Sequence, residues 1–427
     1  MTYDETLEYI HSIKKFNTKP GLHRIENLLR ELGNPEKKMR YIHIAGTNGK
    51  GSATAMCASV LQTAGYKVGS FISPFLERFN ERMQIDGVPI PDDRLITLTE
   101  RVKAAADRMT ERGLAHPTEF EFVTAMAFEY WAEEGCDFVS LEVGMGGRLD
   151  ATNVIPSPDA AIIAHLDLDH CHYLGYTLTE IAYEKCGIIK RGSPVICYCE
   201  QADESIAVIK KVCAERGAAF IKPDMSKLEI LSEGIEGSRF VYDGTTYDVP
   251  LMGRHQIMNT LGVIEAIRAL KLRGVCIPDS VIAEGIRNTK WVGRLEIIRR
   301  DPMVIIDAAH NPDAVRVLTD AIDKLMRGRR IVAVMGILAD KDYHYCIPEI
   351  AKRADAFVAC TPTSGRALDA ADCAEVAKPH CPHVEAVPDI AAAVDRGLEL
   401  TGSDDVMLIC GSLYVIGNAK THIRSKK

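Results

Sequence analysis

The sequence predicts an α/β protein of two domains, the first built around a P-loop and the second a smaller Rossmann-like unit. Two observations carry that reading. Short β-branched runs alternate with helical patterns throughout, as in a mostly parallel sheet covered by helices. A glycine-rich turn, Gly46-Thr47-Asn48-Gly49-Lys50-Gly51-Ser52, follows one such run and opens a helix. In order, strand Tyr41–Ala45 leads through that turn into a helix reaching about Ala64. A helix at Phe120–Glu134 precedes strand Asp137–Val143, and strand Ala160–Ala164 follows. A new cadence begins after Trp291-Val292-Gly293-Arg294. It runs as strand Met303–Ile306, helix Pro312–Met326, strand Ile331–Met335, a helix near Cys346–Arg353 and strand Ala356–Cys360. Helix Ala370–Ala377, strand Val384–Ala386, helix Ile390–Leu400 and strand Val406–Ile409 complete it. This tail is a domain-sized open α/β unit, so the boundary is placed at 293/294.

Composition narrows the function classes. The chain has 427 residues, 47% hydrophobic and 26% charged, ordinary values for a globular protein. No apolar run approaches the roughly 18–20 residues of a membrane span. The acidic start lacks the apolar core of a secretory signal, so a cytoplasmic protein is expected. The net charge of −8 argues against nucleic acid as the main partner. Thirteen scattered cysteines without a Cys-x-x-Cys pair read as reduced thiols. The cluster His380-Cys381-Pro382-His383 lacks the second ligand pair that structural zinc needs.

In the glycine-rich turn, small residues let successive N–H groups converge on phosphate oxygens at a helix N-terminus, where the partial positive charge favours an anion. Lys50 would reach the β- and γ-phosphates of a nucleotide triphosphate, and Ser52 offers a hydroxyl to phosphate or Mg²⁺. The match departs from the general P-loop: Ile44 stands at the first Gly, and Gly51 moves the hydroxyl one place on. Glu142 ends a hydrophobic strand, where α/β sheets place their chemistry, and reads as a Mg²⁺ ligand of Walker-B type. His165-Leu166-Asp167-Leu168-Asp169-His170-Cys171-His172 follows the next strand, and His170 is open between a structural histidine and a ligand. Asp307 and His310, in Asp307-Ala308-Ala309-His310-Asn311-Pro312, occupy another crevice position, although Asn311-Pro312 also suits simple helix initiation. Residue chemistry leaves Arg294 open between a solvated linker arginine and a phosphate contact. Lys185, taken alone, is an ordinary surface lysine.

Taken together, these segments resemble the folylpolyglutamate synthase/dihydrofolate synthase branch of the Mur-type ATP-dependent amide ligases. The resemblance runs nearly the whole chain: Pro20-Gly21-Leu22-His23-Arg24-Ile25, the turn at Ala45–Ser52, Ser73-Pro74, Thr118-Glu119-Phe120-Glu121-Phe122 and Leu141–Asn153. Further on come Asp169-His170, Glu184-Lys185-Cys186-Gly187, His255–Asn259, Gly293-Arg294-Leu295-Glu296, Asp307–Ala314, Asp340-Lys341-Asp342 and Gly411-Ser412-Leu413-Tyr414.

The resemblance implies a Mur-ligase-type fold in which 1–293 binds ATP and pteroate or folate and 294–427 is the glutamate-ligase domain. It implies that Gly46 to Ser52 hold ATP phosphates with Lys50 catalytic, and that Asn259, Arg294, Asp307 and His310 contact the nucleotide. Ser73, Glu142 and His170 become the Mg²⁺ ligands, and Lys185 the lysine carbamylated in this family. Gly21, Leu22, His23 and Arg24, Thr118, Glu119, Phe120 and Glu121, and Leu149, Asp150 and Ala151 match segments that hold pteroate. The implied partners are ATP, L-glutamate and dihydropteroate or tetrahydrofolates, with K⁺ left open as a further requirement and a monomer expected. The implied reaction is ligation of glutamate through an acyl phosphate. Rivals are polyglutamylation alone, a cell-wall-type ligase, and a nucleotide-gated binding protein without ligase chemistry. Phe75, Val292 and Ala308 depart from the family's usual His, Pro and Gly, and Phe75 puts substrate preference in question.

Overall fold

The computed structural model describes residues 1–14 and 21–426; Pro20, quoted above, lies outside them. The first sheet contains β1 (Arg40–Ala45), β2 (Val68–Phe71), β3 (Met83–Ile85), β4 (Val88–Pro89), β5 (Phe138–Glu142), β6 (Ala160–Ile163), β7 (Val195–Cys197) and β8 (Phe220–Ile221). Their spatial order is β4-β3-β2-β5-β1-β6-β7-β8. The run from β2 to β8 is parallel, while β3 and β4 add an antiparallel edge. Ile42 and Ile44 of β1 and Val139 and Leu141 of β5 are buried, because helices cover both faces of the sheet. The helix Lys50–Thr63 lies on one face against helices Arg254–Ala269 and Asp279–Arg287, with Met56, Cys57, Val60 and Leu61 facing that core. The helices Asp92–Glu111 and Glu119–Glu133 cover the other face around Phe122, Phe128 and Trp131.

A three-stranded antiparallel sheet follows: β9 (Leu228–Gly234), β10 (Gly237–Tyr242) and β11 (Thr245–Val249). The sequence reading had no place for it. Its signal was Asp243-Gly244 between aromatic and β-branched residues, with both residues at positive φ, 51° and 80°, as a two-residue hairpin turn requires.

The last sheet contains β12 (Glu296–Arg300), β13 (Met303–Ile306), β14 (Ile331–Met335), β15 (Ala356–Ala359), β16 (Val384–Ala386) and β17 (Val406–Cys410). Their order is β12-β13-β17-β14-β15-β16, parallel except for β12. The C-terminal ends of β1, β5 and β6 in the first lobe and of β13 and β17 in the second open onto one cleft.

Candidate active site

The cleft is a cavity of about 480 Å³. Gly46 to Ser52, Ser73, Glu142, Asp169, His170, Lys185, Asn259, Arg294, Asp307 and His310 all line it.

The turn after β1 is held open by small residues. Gly49 caps the helix Lys50–Thr63 at φ 85°, and a Cβ there would lie 2.5 Å from Asn259 Oδ1. A Cβ on Gly51 would lie 2.4 Å from the Trp291 ring. The N–H groups of Thr47 and Asn48 donate to His165 O at 2.8 and 3.2 Å, and Thr47 Oγ1 donates to Asp167 O. Lys50 Nζ donates to Thr47 O at 3.1 Å, and burial lowers its pKa. Ser52 Oγ accepts from Gln256 Nε2, which brings helix Arg254–Ala269 against the turn. Asn259 Nδ2 donates to Gln256 Oε1, so its amide is fixed beside Gly49.

Glu142, at the end of β5, is buried and accepts from the Ser73 N–H at 3.3 Å. Burial pushes its pKa up to about 7 against the opposing pull of Lys50. A carboxylate so desolvated gains most from a cation brought to it. His170 caps a short helix in the left-handed region, φ 52°, with its ring partly in the cleft. Among the described residues no three His, Cys, Asp or Glu side chains form a metal cage. A glutamate, a histidine and a hydroxyl lining one cleft with the glycine-rich turn instead suit Mg²⁺, which keeps waters and phosphates in its shell.

Lys185 is not the surface lysine its isolated sequence suggested. It is 4% exposed, and its Nζ donates to Gly46 O at 2.8 Å. Burial, then the nearby charge of Lys50, lowers its pKa to about 7.

The second lobe contributes Asp307, just after β13, which accepts from the N–H groups of Leu295 and Ala309 at 2.8 and 2.7 Å. Burial raises its pKa while Arg294 opposes the rise. Arg294 Nη1 donates to Gly293 O. His310 Nδ1 donates to Ala308 O at 2.7 Å, and burial takes its pKa down to about 4. The ring is therefore neutral at pH 7, with Nε2 as the free acceptor.

Two interlobe ties were not apparent from the sequence. Asn48 Nδ2 donates to Asp313 Oδ2 at 2.7 Å, and His165 Nδ1 lies 3.0 Å from the same carboxylate. Lys341 Nζ donates to Asp169 Oδ1 at 2.8 Å, beside His170. Asp313 and Lys341 sit inside quoted motifs, but single-residue chemistry could not tell which charges cross the cleft.

The pteroate-matching segments do not line the cavity. Arg24 donates through Nε and Nη2 to Glu121 at 2.9 and 2.8 Å, and Glu121 also caps its helix with Thr118. Glu119 meets His11 at 3.3 Å. Phe120 packs on Gly144, whose Cβ would lie 2.4 Å from the ring. Asp150 accepts from Met145 N, Thr152 N and Thr152 Oγ1, Ala151 is buried, and Leu149 is exposed. Leu22 caps helix His23–Glu31, and Gly21 lies against the His23 ring. These segments form one wall around Phe71, Phe120 and Phe122 next to Gly144, and Gly144 lines the cleft.

Residues 44–267 match the Mur ligase middle domain, and residues 293–413 match the Mur ligase, glutamate ligase domain. The chain is 36% identical to the dihydrofolate synthase/folylpolyglutamate synthase of Bacillus subtilis, over 99% of both chains. Among solved structures, Mycobacterium tuberculosis folylpolyglutamate synthase complexed with ADP and AMPPCP superposes with a TM-score of 0.88 at 30% identity, covering 98% of each chain. The Escherichia coli protein in complex with DHPP and ADP gives 0.87 at 28% identity, covering 100% of this chain and 98% of that one. With both Mur ligase domains matched around this cleft, the chain belongs to the Mur ligase family, in its folylpolyglutamate synthase/dihydrofolate synthase branch.

Proposed function

We propose that the protein is an ATP-dependent amide ligase that joins L-glutamate to reduced folates and to dihydropteroate. The observation that carries this reading is one cleft holding the phosphate turn, a buried carboxylate, a buried lysine and second-lobe Arg294, Asp307 and His310. A nucleotide-gated binding protein would need the turn but not the rest. On this reading residues 1–293 bind ATP and the pteridine substrate, and residues 294–427 bring glutamate.

Within the turn Gly46 to Ser52, the N–H groups of Gly49 to Ser52 cradle the phosphates, those of Thr47 and Asn48 being held by His165 O, and Lys50 compensates charge as the γ-phosphoryl group moves. Asn259 lies beside Gly49 on the nucleotide side, while Arg294 supplies a fork for phosphate oxygens and Asp307 orders the Arg294–Ala309 segment. Glu142, Ser73 and His170 would hold Mg²⁺, which when bound neutralises phosphate charge. The substrate carboxylate oxygen attacks the γ-phosphorus and ADP departs, leaving an acyl phosphate. The glutamate amine attacks the acyl carbon, loses a proton, and inorganic phosphate leaves. Neutral His310 lines the same cleft from the second lobe. Closure excludes water that would hydrolyse the intermediate.

Lys185 supports a carbamate. A lysine amine captures CO₂ only when neutral, forming an N–C bond and releasing a proton. A pKa near 7 supplies that form at neutral pH, and the carbamate would replace a buried cation by an anion suited to the metal side of the site. Capture rises with pH through about 7, so activity restored by bicarbonate after CO₂ depletion rises over the same range. Lys185→Ala lowers ligation at least ~100-fold on this reading. Full ligation by that variant would remove the carbamate role.

The testing experiment is phosphate release with Mg-ATP and L-glutamate, run separately with dihydropteroate and a tetrahydrofolate. Turnover with both establishes the bifunctional enzyme, turnover with the folate alone restricts it to polyglutamylation, and ATP turnover indifferent to pteridine overturns the ligase. Exchanging KCl for NaCl in the same assay tests K⁺, and sedimentation tests the monomer. No described helix is long and apolar enough to cross a membrane, and this reading places the enzyme in the cytoplasm with its ATP.

A further inference from the structure

Arg82 is a cation that the mechanism above does not use. It ends the 3-10 turn Phe79–Arg82, and its carbonyl accepts from the Ile72 N–H at 3.0 Å. Its backbone therefore lies across from the residue that precedes Ser73. The guanidinium rests beside an edge-to-face pair of rings, 5.5 Å from the Phe75 centroid and 5.4 Å from that of Phe79. Its Nε is buried and has no hydrogen-bond partner.

Two carboxylates stand near it, and neither hydrogen-bonds its Nε. Glu81 accepts from the N–H groups of Leu76, Glu77 and Arg78 at 2.8, 3.1 and 2.9 Å. Glu119 meets His11 and attracts Arg82 electrostatically, but among the described residues no carboxylate reaches Arg82 at ion-pair distance. The buried Arg24, by contrast, has Glu121. Tyr414, at the start of the second-lobe helix Leu413–Ser425, also acts on Arg82, so the guanidinium faces the seam between the lobes. Burial lowers its pKa, as for a cation lacking full compensation.

An arginine fork with an orphaned buried N–H, set on two rings, is built to receive a planar anion, and its five donors match a carboxylate bidentately. Resting on the ligase reading, we propose that Arg82 binds the non-reacting carboxylate of a glutamyl group. Arg82 pairs through its backbone with Ile72, one residue before Ser73, and its neighbour Glu81 lines the cleft. On the ligase reading the reacting carboxyl group would lie by Ser73 and Glu142, and the second carboxylate of the same glutamyl group would extend toward this edge of the cleft. Two sources share this chemistry, the α-carboxylate of a folate's glutamate tail and a carboxylate of the incoming L-glutamate.

The test compares Arg82→Gln and Arg82→Lys with the unmodified enzyme by steady-state kinetics with Mg-ATP, tetrahydrofolate and L-glutamate. In the Gln variant, KM rises at least ~10-fold for tetrahydrofolate if the tail is held, or for L-glutamate if the incoming amino acid is held. The KM for ATP and the Tm stay within error, and the Lys variant recovers part of the loss. Unchanged KM values for both carboxylate substrates overturn the proposal. So does a uniform rise in all three KM values with a lowered Tm, which marks a structural stacking role. An unmodified enzyme that ligates no pteridine would overturn the ligase reading itself, an outcome distinct from normal ligation indifferent to Arg82.

Discussion

Gly49 combines two constraints in one residue: φ is 85°, and a Cβ would stand 2.5 Å from Asn259 Oδ1. The left-handed backbone alone costs a non-glycine residue about 1–2 kcal/mol. The close approach adds the displacement of an amide held by Gln256. Gly49→Ala is therefore expected to weaken ADP binding at least ~10-fold, measured by calorimetric titration, while the far face of the helix Lys50–Thr63 keeps its packing. Binding of ADP at the original affinity would show that Asn259 yields freely and takes no part in ordering the turn. Lys185 makes the same point about environment: its pKa near 7 comes from a buried position beside Gly46, which no property of lysine itself reveals.

At the scale of elements, the helix Glu119–Glu133 begins with a capping box in which Thr118 Oγ1 accepts from Glu121 N and Glu121 accepts from Thr118 N. Glu121 also receives Arg24 through two N–H groups, with both side chains under 10% exposed. Removing one member of a buried, doubly bonded pair costs about 3–5 kcal/mol, because the other charge stays in a dry site. Glu121→Ala should show that loss in calorimetric unfolding of the first lobe, whereas Thr118→Ala should cost only about 1 kcal/mol. Equal costs for the two would mean that the cap, not the ion pair, fixes this helix. The same region shows what the sequence could tell. Parallel strands such as β1 and β14 were legible because both faces are buried and the runs are continuously apolar. The phosphate turn was legible because its chemistry is local. The sheet β9–β11 was missed because its half-exposed strands carry polar residues, and only the Asp243-Gly244 turn marked it. Arg82 and the Asn48–Asp313 tie were illegible because their meaning depends on which distant residues fail or manage to reach them.

The two lobes meet along a seam in which the phosphate turn takes part directly. Asn48 reaches Asp313, and Asp169 reaches Lys341. At one end, Glu77 accepts from Arg424 at 2.9 and 3.1 Å and lies 3.6 Å from Lys420, which is 1% exposed. At the other, the hairpin residue Ile235 packs into the second lobe's core while Glu233 pairs with Lys324 and Glu236 with Arg300. Between the charges lies a contact with no slack: a Cβ on Gly417 would sit 2.1 Å from Leu76 O. Backbone cannot yield as the end of a side chain does, so Gly417→Ala must push helix Leu413–Ser425 off the loop that leads from Ser73. The substitution is made on a helix interior where alanine is otherwise favoured by about 1 kcal/mol over glycine, so the helix itself is not weakened. If this seam is the reacting arrangement, Gly417→Ala lowers kcat for ligation at least ~10-fold and enlarges the radius of gyration in small-angle scattering, with the melting of each lobe preserved. Ligation at the unmodified rate would mean that the lobes react in a more open arrangement. The ties through Asp313 and Lys341 would then belong to a resting state that must loosen before glutamate is joined.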